Sequence, residues 1–316
     1  MTETPVISGP ETVSQTIERY ASQRPQMEPI LRAFESPLRE RAKLREEFAR
    51  DSLDLSGIDC SRLVGGDTGA PLLAGVDLAF LARWIERSAS ALLPLLQRAM
   101  PDSQELDRIA EAASGKGLDL KACGRMLLDG DRASLEREAE VFGVSPAMLE
   151  FTLAEILAAP LASLTDQLQE KLHEASWRQG VCPVCGSFPS VACLGRPETV
   201  ELDSLVGGGG QKYLHCSLCG HDWRYRRDAC PACENADPGT REMHHAVKAR
   251  QERIEACTKC GAYFLCIDLR EYAEDPDLSV APLALMHLDI IASGKGYRPL
   301  APAPWNTFPA REAEGA

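Results

Sequence analysis

Long apolar runs are missing from this chain of 316 residues. None approaches the roughly 20 uninterrupted apolar residues with which a helix crosses a bilayer, which argues against membrane insertion. The opening MTETPVISGPETVSQ lacks both a basic region and an apolar stretch, so it does not read as a secretory signal. A cytoplasmic protein is expected. Basic charge is short as well: 34 Lys and Arg against 47 Asp and Glu leave a formal net charge of −13. General phosphate-backbone binders draw their affinity from Lys and Arg, so that class is opposed. Ser-His-Asp, Walker and dinucleotide-binding patterns are absent too. The four glycines at 207–210 are not followed by a Lys-Ser/Thr that opens a helix, so they read as a hairpin tip or loop and not as a phosphate cradle.

What is present divides into two textures. After about ten loose residues, helical patterning runs to about Ser176. In DLAFLARWIERSASALLPLLQRAM, Leu78, Leu81, Ile85, Leu92 and Leu96 recur at three- and four-residue spacing and form one apolar stripe. Ser103, Asp131 and Ser145 stand where N-caps belong, Pro146 suits a first helical position, and Gly143 suits a stop. Pro160 is expected at or just past the end of the helix that Ser145 opens, with LASLTDQLQEKLHEASW as a separate last helix. Short connections suggest an antiparallel helical bundle. From Gln179 to about Asp268 the chain turns to short strand candidates between Gly, Pro and Cys turns: SVACLG, TVELDSLV, KYLHC, HDWRYR, ERIEAC and AYFLCIDL. PLALMHLDIIASG returns to helix, with Gly294 as its end. The expected fold class is α+β and multidomain: a helical domain over 1–176, metal-binding β modules over 177–222 and 223–275, and a C-terminal helix and tail over 276–316.

Twelve cysteines in a reducing compartment do not suggest six disulfides, and eight of them fall into four Cys-x-x-Cys knuckles. These are Cys182/Cys185, Cys216/Cys219, Cys230/Cys233 and Cys257/Cys260. A knuckle offers two thiolates on one tight turn, half of a tetrahedral four-sulfur site. Gly186, Gly220 and Gly261 follow three of them and suit the left-handed turn that points amides at sulfur. The third is followed by Glu234, and Asn235 is the expected occupant of the left-handed position there. Cys60, Cys123, Cys193 and Cys266 stand singly among apolar or helical neighbours and read as core residues.

Three pairings of knuckles are open. Thirty residues separate the first from the second and twenty-three the third from the fourth, spans that suit a small sheet and favour sequential pairing. A nested arrangement would close Cys216/Cys219 on Cys230/Cys233 across ten residues that include the strand-like HDWRYRR, and an interleaved cross-brace is the third. Either metal site would be closed. Four sulfurs suit Zn(II) and equally a single iron, with no open position for water activation. His215 and His221 flank the second knuckle as orienting groups, and the adjacent His244 and His245 point to opposite faces of any strand.

The segments CPVCGSFPSV, KYLHCSLCGHDWRYRRDACPAC, CTKCGAYF and LDIIASGKGYRPL together resemble the FdhE family of formate dehydrogenase accessory proteins. The resemblance covers about Cys182 to Leu300, and the N-terminal part matches only as helical sequence. It implies a helical domain followed by two rubredoxin-like modules with one metal each, iron in the family. It also implies a maturation role, with the formate dehydrogenase catalytic subunit bound in the cytoplasm before export. Carried over, the eight knuckle cysteines are the ligands, and Glu234 departs from the Cys-x-x-Cys-Gly form.

Two other classes compete with an accessory protein. A zinc-ribbon nucleic-acid binder would use Arg224, Arg226, Arg227, Lys248 and Arg250, against the overall charge. A dithiol oxidoreductase would need at least one metal-free knuckle.

Overall fold

In the computed structural model, which describes residues 11–63, 68–115, 117–195, 210–246 and 249–307, eight helices precede the first strand. They are α1 (Val13–Gln23), α2 (Glu28–Phe48), α3 (Ala82–Ala99), α4 (Gln104–Ser114), α5 (Leu120–Asp129), α6 (Arg132–Phe142), α7 (Pro146–Gln167) and α8 (Gln169–His173). The strand candidate TVELDSLV, the glycines at 207–209, Lys248 and the loose first ten residues lie outside the described residues.

The helix starts follow from their caps. Ser103 Oγ accepts from the Leu106 amide at 3.3 Å, Asp131 Oδ1 from Ser134 at 3.1 Å, and Ser145 Oγ from Met148 at 3.3 Å. Gly143 closes α6 with φ +63°, a left-handed C-cap. α7 is the axis of the helical region: α2, α3, α4, α5 and α6 all pack on it. It is apolar almost all round, as a fully surrounded helix must be. By length and composition it could cross a membrane, yet 78% of its apolar window is buried inside the fold, where it serves as core.

Pro160 does not end this helix. The chain continues through it to Gln167, and only the second part of the expected last helix stands apart, as the short α8. A proline removes one amide and strains one turn. Here both flanks are buried, from Ile156 to Thr165, and this packing outweighs the lost bond. Pro37 and Pro94 are likewise carried inside α2 and α3.

Beyond α8 the strands are β1 (Pro189–Leu194), β2 (Lys212–Cys216), β3 (Asp222–Tyr225), β4 (Arg241–His245), β5 (Glu252–Cys257) and β6 (Ala262–Asp268). They are followed by α9 (Ala281–Ala284), α10 (Met286–Gly294) and the two-residue β7 (Arg298–Pro299). The sheet order is β3-β2-β1-β6-β5-β4, with β7 added to β6. Two antiparallel three-stranded units, each running knuckle–strand–strand–knuckle–strand, are therefore joined edge to edge. The joint is a parallel pairing of β1 with β6, Val191 opposite Leu265 through Leu194 opposite Asp268. β4 was not among the sequence's strand candidates, and its exposed REMHH forms one edge of the sheet.

One hydrophobic core runs from α1 through the helices into both units. Polar contacts cross the same boundary. Arg24 forms an ion pair with the buried Glu252 of β5, which also accepts from Tyr272 Oη at 2.5 Å.

Candidate metal centres

Each knuckle is shaped by its own backbone before any other part of the chain reaches it. The amide that follows the second cysteine returns to the carbonyl of the first: Gly186 to Cys182 at 3.0 Å, Glu234 to Cys230 at 2.8 Å, and Gly261 to Cys257 at 2.8 Å. Gly186, Gly220 and Gly261 adopt φ of +79°, +67° and +71°. In the third knuckle Glu234 itself takes the left-handed conformation, φ +57°, where Asn235 was expected to. The turn closes one residue after the second cysteine in all four, so the residue type yields to the geometry. The turns aim amides at sulfur: Leu218 and Cys219 lie 3.4 and 3.5 Å from Cys216 Sγ. The amides of Ala232 and Cys233 address Cys230, and those of Lys259 and Cys260 address Cys257.

The strands then bring the knuckles together in sequential pairs. Cys182, Cys185, Cys216 and Cys219 form one cluster, and Cys230, Cys233, Cys257 and Cys260 the other, with sulfurs within 4.8 Å of one another in each. The nested and interleaved arrangements do not occur. In the first cluster Cys182–Cys219, Cys185–Cys216 and Cys185–Cys219 stand 3.5, 3.4 and 3.7 Å apart. In the second, Cys230–Cys260 and Cys233–Cys257 are each 3.8 Å apart. A tetrahedron of sulfurs about 2.3 Å from a central ion has edges of about 3.8 Å, so both clusters fit one ion of zinc or iron size. The donor set points the same way. Burial pushes the Cys182 and Cys219 thiols well up, while for Cys185 burial is outweighed by hydrogen bonds from its neighbouring thiols, which hold it well down. Four thiolates this close repel one another unless a cation lies among them.

The clusters differ in exposure. All four cysteines of the first are buried, none above 2% exposed. Cys233 and Cys260 of the second are half-buried at the surface. The remaining cysteines stay outside both clusters. Cys193 and Cys266 are buried in β1 and β6, where burial raises both thiols. Cys123 is pushed up to about 11 by burial in α5, and Cys60 is half-buried in a short 3-10 turn.

His215 Nδ1 meets Asp222 Oδ1 at 2.7 Å, and His221 stacks on Trp223 with burial lowering its pKa, so both histidines support the second knuckle from outside the sulfur set. His244 bonds Glu242 at 2.9 Å while its neighbour His245 is exposed, both on β4. In the basic stretch, Arg226 pairs with Asp228 at 3.1 Å and Arg227 donates to the Gly210 carbonyl at 3.1 Å; Arg224 and Arg250 are exposed.

The first knuckle is held by a segment that the sequence does not mark. The Leu72 amide donates to the Pro183 carbonyl at 2.8 Å and the Leu73 amide to Val184 at 2.9 Å. The segment APLLAG that supplies them has no periodic pattern, and a backbone contact leaves no residue-type signal.

An α+β fold with two closed four-cysteine clusters defines a class of protein built round paired cysteine knuckles, each cluster able to hold one metal ion. No family model matches the chain. Relatives do: an FdhE homolog of Aquifex aeolicus is 33% identical over 156 residues, 49% of this chain and 51% of that protein. One from Stutzerimonas stutzeri is 30% identical over 223 residues, 67% of this chain and 65% of its own length. One from Edwardsiella ictaluri is 28% identical over 237 residues, 72% of this chain and 67% of its own length. The chain thus spans about half to two thirds of the length of these relatives. The crystal structure of the FdhE protein from Pseudomonas aeruginosa shares the fold, with a TM-score of 0.60 at 23% identity over 96% of this chain and 95% of that one. The chain belongs to the FdhE homolog family.

Proposed function

We propose that this chain is a non-catalytic accessory protein that binds the catalytic subunit of formate dehydrogenase in the cytoplasm and is needed for its maturation. The observation that carries the reading is the pair of complete four-sulfur clusters on a fold shared with an FdhE protein. With four cysteines at each centre, no position is left for water or substrate, so each ion would hold structure and not activate a nucleophile. Cys182, Cys185, Cys216 and Cys219 would hold one ion, and Cys230, Cys233, Cys257 and Cys260 the other, within modules over 177–222 and 223–275 that follow a helical domain over 1–176. Iron is the ion that the resemblance implies; zinc satisfies the same sulfurs. An iron bound by four thiolates exchanges one electron without changing its ligands, and the half-buried second centre is the better placed for that.

The test is capture and complementation. The full chain, purified anaerobically, is offered to the formate dehydrogenase catalytic subunit of the same cell, and formate oxidation is measured in cells with and without it. Saturable binding together with loss of formate oxidation in its absence supports the role. Normal formate oxidation without the chain and no binding overturns it.

A further inference from the structure

The first knuckle is gripped from outside the sheet, and among the described residues the second cluster is not gripped in that way. Pro183 and Val184 are the inner residues of the Cys182–Cys185 turn, and their carbonyls accept from the Leu72 and Leu73 amides at 2.8 and 2.9 Å. Leu72 and Leu73 are fully buried. Pro71 lies against the same turn: a Cβ built on Gly186 would stand 3.3 Å from its ring. The segment is clasped on its other side by Arg125 of α5, whose Nη1 donates to the Leu73 carbonyl at 2.6 Å and to Val76 at 2.8 Å. Arg125 is oriented in turn by Asp129, at 2.7 Å. An unbroken line of bonds thus runs from α5 through residues 71–76 into the knuckle and on to the sulfurs. In the second cluster, Cys230 bonds Asn235 and Tyr225, Thr258 bonds Thr240, and Cys260 accepts from Arg298. All of those partners lie between Tyr225 and Arg298, in the sheet, its connecting turns and the segment that follows it.

We propose that the first cluster is a metal-dependent latch between the helical region and the sheet. The proposal rests on the reading of that cluster as a metal centre. An ion bound by Cys182, Cys185, Cys216 and Cys219 cross-links two turns thirty residues apart and fixes the directions of the Pro183 and Val184 carbonyls. Those carbonyls hold residues 71–76, and through Arg125 they hold α5. Without the ion the turn is no longer cross-linked, its carbonyls are free to rotate, and the two amides lose their acceptors. The helical region therefore reports whether the first centre is loaded. Coupling of this kind is reciprocal, so loosening the clasp must also loosen the ion.

Hydrogen exchange over residues 71–76 tests the latch in the full chain, with metal content measured on each sample. Cys216→Ala/Cys219→Ala is expected to lose one ion and to exchange there at least about tenfold faster, while Cys257→Ala/Cys260→Ala loses one ion and exchanges there at the wild-type rate. The reciprocal arm uses Arg125→Ala in the Cys257→Ala/Cys260→Ala background, where only the first centre is filled. A chelator should then withdraw that ion about tenfold faster than with Arg125 intact. This arm removes no first-cluster sulfur, so it decides the matter if the Cys216→Ala/Cys219→Ala chain does not fold. Unchanged exchange in a Cys216→Ala/Cys219→Ala chain that has lost its ion overturns the latch alone, as does unchanged ion release with Arg125→Ala. Wild-type chain purified without any bound metal overturns the metal-centre reading and the latch with it.

Discussion

The two cysteine clusters are built on the same run of elements and sit in different worlds. Each unit runs knuckle, strand, strand, knuckle, strand, and each gathers its sulfurs from the turns at one end. Yet the first is sealed beneath the helical region, while the second shows Cys233 and Cys260 at the surface. The sulfur set is therefore a local matter of turn and hairpin, and burial is a tertiary one.

Removing the sulfurs should separate the two clusters most clearly. Cys216→Ala/Cys219→Ala should lose one ion and destabilise the chain by several kcal/mol, since ion binding and folding are coupled on the order of 10 kcal/mol in small four-ligand domains. Cys257→Ala/Cys260→Ala should lose one ion at a smaller cost, because its knuckles lie at the rim. Thermal melts beside metal content decide between the two, and equal losses of melting temperature would mean that the helical cover adds nothing. Helical content by circular dichroism should survive in both.

The two units also approach closely beside the knuckles. A Cβ on Gly180, just ahead of the first knuckle, would meet the Pro231 carbonyl oxygen of the third at 1.9 Å. Backbone cannot yield as a side chain does, so Gly180→Ala should cost about 3 kcal/mol, measured by denaturant unfolding. If the two units behave as one body through this contact, both ions should leave faster in the variant; if only one does, the units are separable.

A third contrast lies beneath the sheet, where α10 covers Tyr263 of β6. Asp289 is 1% exposed, accepts one bond from Tyr263 Oη at 2.7 Å, and has its other oxygen unpartnered. Burial raises its pKa to about 7. An acid whose folded pKa is raised binds its proton more tightly when folded, so its contribution is complete below about pH 4. It is lost as pH rises from there through 7. Asp289→Asn keeps the acceptor for Tyr263 and never ionises. It should gain a few kcal/mol over wild type at pH 8, roughly a third of that at pH 5 and little at pH 3, read from unfolding curves at the three. Glu255 behaves in the opposite sense. Burial opposes its ionisation, but Lys212 at 2.6 Å and the guanidinium groups of Arg253 and Arg241 hold its pKa down to about 2. Its contribution is present above the usual glutamate range and fades only as pH falls toward 2.

Much of this was legible in the sequence because it is local. Caps at Ser103, Asp131 and Ser145 act within one turn, and a Cys-x-x-Cys-Gly pattern declares its own backbone. Sequential pairing was legible from spacing, since hairpins of that length bring their ends together. The passage of α7 through Pro160 was not, because packing on five other helices decides it. Nor was the parallel joint of β1 to β6, where Val191 meets Leu265 across most of the sheet's sequence. A register between distant strands is set by burial on both faces and leaves no pattern in either strand alone. The clasp of residues 71–76 on the first knuckle is made of backbone atoms, which every residue carries.

The two units differ in the residue that closes their turns. Three knuckles close with glycine at positive φ, and the third closes with Glu234 at +57°. A side chain in that conformation costs about 1–2 kcal/mol, and glycine would adopt it without strain. Glycine also gives the unfolded chain more freedom, which takes back part of the gain. Glu234→Gly should therefore stabilise the second unit by about 0.5–1 kcal/mol and slow ion loss from Cys230, Cys233, Cys257 and Cys260 by a few-fold, followed by chelator competition. The first cluster, with its own glycines at 186 and 220, should release its ion at an unchanged rate. A slower release from both would show the strain at Glu234 to be shared through the sheet. A faster release from the second would mean that the Glu234 side chain itself supports the turn, and the difference in exposure between the clusters would then have a local cause as well as a tertiary one.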